Sequence, residues 1–155
     1  MSNDHHEENF IQKYVFSVDH KVIGLQYGVT SLLFLLFGFL LMAIMRYQLA
    51  YPEQVIPYIG NWIFSESGGV MLPENYNTLG AMHGTIMIFL GVVPLAVGAF
   101  GNYLVPLQIG APDMAFPKLN AASYWSYFVG GVIMIASFFT PEGAARSGWT
   151  SYPPL

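Results

Sequence analysis

His83 is the only residue of the Asp, Glu, Lys, Arg and His types between Glu74 and Asp113, inside a run that is otherwise uncharged at neutral pH. An ionisable group in such a run is costly to hold away from water, so it marks a functional site by default. Neutral imidazole is the commonest protein metal ligand, and Gly84 directly after it leaves room for a large planar group against the same helix. The pair favours a haem site. A histidine hydrogen-bonded to a neighbouring helix is the other reading, and position alone does not separate the two. Arg46 and Trp149 belong at the same membrane face, either holding polar edges of a cofactor or serving as interfacial anchors.

A second group of polar residues collects at the opposite face: His20, Tyr27, Asn102, Asp113, Asn120 and Ser123. Asp113 is the only carboxylate of the 108–118 loop. A surface acid leading to amides and hydroxyls that hold ordered water is what a proton path requires, because water relays protons and apolar packing does not. The alternative is a set of caps and turns, with Asp113 in a G-x-P-D turn and Asn120 satisfying backbone donors.

The elements that position these residues follow from composition. The 155 residues are 54% hydrophobic and only 9% charged, which is too apolar for a soluble domain of this size. The uncharged run between Lys21 and Arg46 is long enough to span the hydrocarbon as a helix. Two further uncharged runs lie before Asp113 and between Lys118 and Glu142. The reading is an all-α integral membrane chain with a tail over 1–19 and a membrane segment over 20–155. Its helices cover about 20–47, 76–108 and 118–140. On the second helix, His83 and Leu107 stand roughly 36 Å apart along the axis, which puts them near opposite faces. Glycines and Pro94 within that helix are tolerated where neighbours approach closely or re-satisfy a freed carbonyl.

Lys13, Lys21 and Lys118 fall on one side of the spans, and Arg46 and Arg146 on the other. This bias places the N-terminus in the cytoplasm and the 47–75 loop outside. The formal charge of -4 argues against nucleic-acid binding. Cysteine is absent, so the chain carries no disulfide, no thiolate metal site and no C-x-x-C-H haem attachment. The first apolar run exceeds a signal-peptide core and lacks a small-residue cleavage pattern, so it reads as an uncleaved anchor. His5-His6 beside Glu7-Glu8 reads as a solvated tail rather than a metal site. The methionines read as flexible packing.

Longer strings carry a family resemblance from His20 to the last residue. They are His20-Lys21-x-Ile23-Gly24; Tyr76-Asn77 followed by His83-Gly84-x-Ile86-Met87-Ile88-Phe89; Gly101-Asn102-Tyr103-x-Val105-Pro106-Leu107; Ile109-Gly110-Ala111-Pro112-Asp113-Met114-Ala115-Phe116-Pro117; and Gly148-Trp149-Thr150-x-Tyr152-Pro153-Pro154-Leu155. Together they resemble the N-terminal part of subunit I of the haem–copper oxidases, in its cytochrome c oxidase branch. The fold implied is the first three transmembrane helices of what resembles a twelve-helix bundle.

The resemblance implies specific roles. His83 matches the axial ligand of the low-spin haem, a haem A, with Gly84 beside it. Arg46 matches the arginine at that haem's formyl group, and Trp149 a tryptophan near its propionates. Asp113 matches the acid at the mouth of the D pathway, and Asn102, Asn120, Ser123, Tyr27 and His20 its lower lining. The second axial histidine, the second haem and the copper ligands belong to parts of the subunit outside this sequence. A truncated subunit is therefore expected rather than one split into several chains, and the segment alone would not reduce oxygen.

The implied partners are oxidase subunits II and III, cytochrome c as donor, O2 as substrate and lipid, in a bacterial cell membrane. Two departures stand out: Asn120-Ala121 where the family has two asparagines, and Gln48 where it often has an acid of a cation site. A ubiquinol oxidase is the nearest alternative. However, its polar quinol-site positions correspond here to Phe37, Leu41, Asn75 and Thr78. Nitric oxide reductases rank below it. A cofactor-free transporter or channel gated by His83 and Asp113 is the reading from another class.

Overall fold

A computed structural model describes residues 9–140 and 143–152. The His5-His6-Glu7-Glu8 stretch and Pro153-Pro154-Leu155 lie outside the described residues.

Three helices are long and apolar enough to cross a membrane: His20–Ala50, Pro73–Ile109 and Pro117–Phe139. No strand occurs among the described residues. Local chemistry sets their ends. Asp19 caps the first span, its carboxylate accepting the Lys21 N–H at 2.7 Å. The second and third spans open on Pro73 and Pro117, where a missing N–H costs no helical bond. Gly110, at φ 70, ends the second span in the left-handed conformation.

The sequence predicts one continuous helix for the second span, and the structure differs in its middle. Pro73–Thr85 and Asn102–Ile109 are α-helical, whereas Ile86–Val92 and Pro94–Gly101 wind in wider π-type turns. Pro94 supplies the reason at their junction: it cannot donate, and the Val93 N–H before it reaches back five residues to Ile88.

The first two spans pack antiparallel in a single register. Gly24 lies against Ala99 and Tyr103, Leu35 against Gly91, Gly38 against Met87 and Met45 against Gly80. The approach is close enough to require glycine. A Cβ at Gly98 would stand 2.5 Å from the Tyr27 ring, and one at Gly131 of the third span would run into the Phe34 ring.

The first span exposes large apolar side chains and buries polar ones beside its apolar core. Leu25, Val29, Leu32, Leu36 and Phe39 of the first span are exposed, while Tyr27, Thr30 and Ser31 are buried against the other spans. That is the pattern of a bundle surrounded by lipid or further helices, whose polar groups find partners inside.

The segment between the first two spans folds back onto the bundle, burying Ile56, Phe64 and Met71. Gln48 anchors it. Its amide donates to the carbonyls of Tyr51 and Gln54 at 3.0 and 3.3 Å and accepts the Met71 N–H at 2.9 Å. The residue that departs from the family's frequent acid therefore serves here to tie down a loop.

Candidate functional site

The His83 ring is half-buried, and its Nδ1 lies 2.8 Å from the carbonyl oxygen of Gly38 on the first span. A carbonyl only accepts, so Nδ1 carries the proton. In the neutral ring the lone pair then sits on Nε2. Metal-binding histidines are commonly fixed this way, one nitrogen held by a backbone carbonyl and the other free for the metal. Beside it, a Cβ added to Gly84 would meet nothing within 4 Å. A donor of defined tautomer next to open space suits an axial ligand of a planar macrocycle. Among the described residues, no three His, Cys, Asp or Glu side chains converge on a metal-sized site.

The residues named as neighbours of that site are placed less closely. Arg46 is exposed on the first span, eight residues and roughly 12 Å of helix beyond Gly38 toward Ala50. Trp149 is 57% exposed and packs edge-on against Phe89, with ring centroids 5.7 Å apart. Its segment returns along the second span, where Gly148 faces Ala81 and Arg146 pairs with Glu74 at 3.8 Å. That pair is largely solvent-exposed and contributes little to stability.

At the other end of the bundle a cavity of about 570 Å³ opens between the three spans. Tyr27, Asn102, Asn120 and Ser123 all line it, together with Met114 of the connecting loop. The Tyr27 hydroxyl lies 3.1 Å from that of Ser123, which itself donates to the Asn120 carbonyl at 2.7 Å. Asn102 donates through its amide nitrogen to the Gly98 carbonyl at 2.6 Å. Its Oδ1, and Nδ2 of Asn120, are buried with no hydrogen-bond partner among the described residues. Buried polar atoms of this kind are normally satisfied by ordered water, and this cavity is large enough to hold it.

Asp113 sits in the loop one residue before Met114, half-buried, and its carboxylate accepts the Met114 N–H at 2.7 Å. It stands beside the cavity rather than among the lining residues. His20 is also absent from that lining. Its ring is 2% exposed, and Nδ1 lies 2.8 Å from the Asn102 carbonyl.

Further hydroxyl pairs, not singled out in the sequence, lie above the cavity. Thr30 pairs with the Tyr124 hydroxyl at 3.1 Å, and Ser31 with that of Tyr127 at 3.3 Å. Two adjacent hydroxyls inside an apolar run, opposite tyrosines three residues apart, were the available signal. A separate apolar cavity of about 450 Å³ is lined by Phe37, Leu41, Trp62, Leu79 and Phe138, among others.

Residues 22–155 match the model of the family described as Cytochrome C and Quinol oxidase polypeptide I. The chain is 46% identical over 155 residues to cytochrome c oxidase subunit 1 of Synechocystis sp., covering 100% of this chain and 25% of that protein. It is 49% identical over 142 residues to cytochrome c oxidase subunit 1 of Thermostichus vulcanus, covering 92% and 23%. With the heme-copper oxidase subunit I+III of Aeropyrum pernix it shares 42% identity over 146 residues, covering 94% and 16%. The chain thus spans a quarter or less of the length of these relatives.

Proposed function

This chain belongs to the cytochrome c and quinol oxidase polypeptide I family, and from that premise we propose that it is part of the catalytic subunit of a cytochrome c oxidase. The complete protein takes electrons from cytochrome c, reduces O2 to water at a haem–copper centre, and moves protons outward. Subunits II and III are its partners, and a bacterial plasma membrane, with the N-terminus in the cytoplasm, is its location.

The observation that carries this reading is the His83–Gly38 contact beside the open space at Gly84. A low-spin haem, of the A type, would supply reversible one-electron chemistry there. His83 would hold its iron through Nε2, while the Gly38 carbonyl keeps the ring in the ligating tautomer. Gly84 leaves the macrocycle room, and Arg46 and Trp149 are the groups of this chain that would meet its polar edges.

Protons are taken up through the cavity at the other end. Asp113 captures them at the loop. The Asn102 Oδ1 and Asn120 Nδ2 atoms, which have no protein partner among the described residues, hold with the Tyr27 and Ser123 hydroxyls the water that carries them inward. Support for a cytochrome c rather than a quinol donor comes from the names of the relatives and from the apolar surroundings of Phe37 and Leu41.

Oxygen uptake by membranes containing the full-length protein tests the assignment. Uptake driven by reduced cytochrome c supports it, and uptake driven by ubiquinol but not by cytochrome c overturns it.

A further inference from the structure

Two carbonyls of the second span lose their α-helical donor to proline, and each is met by a side chain from a different span. Pro106 has no N–H, so the carbonyl of Asn102, four residues back, lacks the bond that an α-helix would give it. His20 of the first span fills that place, with Nδ1 2.8 Å away in a fully buried contact. Pro94 stands in the same relation to Leu90. There the Tyr127 hydroxyl of the third span donates to the freed carbonyl at 2.7 Å. In each case the acceptor is a backbone oxygen, which cannot pass a proton on. A chain of donors that ends on a carbonyl is a tether and not a relay.

The tethers bracket the cavity. Asn102 and Pro94 both line it, and so does Tyr127. With its carbonyl held by His20 and its amide nitrogen on Gly98, Asn102 keeps one side-chain atom without a partner among the described residues, Oδ1, buried at the cavity. We propose that His20 is a positioning residue that acts through the proline-freed carbonyl of Asn102, and that Tyr127 does the same through Leu90. Together they hold the lining of the cavity in place from two neighbouring spans. The tethers stand without the oxidase reading; their effect on proton uptake rests on it.

The pairing with proline supplies a specific test. In the full-length assembled complex, His20→Leu removes the donor, while Pro106→Ala gives the helix back an N–H of its own for the Asn102 carbonyl. We expect His20→Leu to lower the thermal midpoint and slow proton uptake, and His20→Gln, which can still donate, to recover both in part. In the Pro106→Ala background, His20→Leu should cost nothing further. If His20→Leu alone fails to assemble, assembly of the double variant carries the same information. The proposal is overturned if the double variant is as impaired as His20→Leu alone, or if His20→Leu leaves both the midpoint and uptake unchanged. A midpoint that recovers in the double variant supports the tether even if Asp113→Asn turns out not to affect uptake, a result that would count against the proton path alone.

Discussion

The carbonyl of Gly38 and the imidazole of His83 face one another across two antiparallel spans at 2.8 Å. The register that brings them together is set by close packing along the whole interface, from Gly24 against Tyr103 at one end to Met45 against Gly80 at the other. The tautomer of a candidate iron ligand is thereby fixed by how two apolar helices fit.

Gly84→Ala adds a methyl group where nothing lies within 4 Å, whereas Gly84→Leu fills the space a macrocycle would use. Both variants should insert into membranes in equal amounts. Low-spin haem absorbance should survive in the first and be lost in the second. Equal haem in the two would contradict the placement.

Asp113→Asn removes the only carboxylate of the 108–118 loop and keeps an acceptor for the Met114 N–H. Haem content should be unchanged and proton uptake from the face that bears the 108–118 loop slowed, as read by a pH-sensitive dye in single-turnover experiments. Normal pumping in this variant would remove the pathway.

Asn120→Leu replaces a buried amide whose Nδ2 has no partner among the described residues. With cavity water as its partner, its replacement by leucine exchanges one hydrogen bond for apolar packing, so the thermal midpoint should not fall appreciably. Uptake should nonetheless slow, because water loses a polar contact in the cavity. Slowed uptake with an unchanged or higher midpoint is the expected combination; unaltered uptake is the contrary one.

Gln48→Leu leaves the Met71 N–H and the carbonyls of Tyr51 and Gln54 without their amide partner. A loss of about 1–3 kcal/mol is expected, measurable as a lower unfolding midpoint and faster proteolysis of the 51–72 segment. Haem spectra should not change.

Much of this was readable before any coordinates. The three spans follow from uncharged runs longer than the hydrocarbon is thick, and the convergence of Tyr27, Asn102, Asn120 and Ser123 follows from which span ends share a face. The wide turns of the second span were not readable, because Pro94 signals a disturbed helix without saying how the backbone will absorb it. The sequence groups His20 with the cavity residues for a similar reason. Its end of the helix is the correct one, but only the three-dimensional register shows the ring pointing to the Asn102 carbonyl. The loop anchor at Gln48 depends on the path of residues 51–72, which no periodicity encodes.

Haem binding by His83 is measured most directly by a reduced-minus-oxidised difference spectrum of the full-length protein and its His83→Leu variant. Bands of a low-spin haem should be present in the first and missing from the second, with the protein still inserted in the membrane. Low-spin bands of undiminished intensity in the variant would contradict ligation of the haem iron by His83.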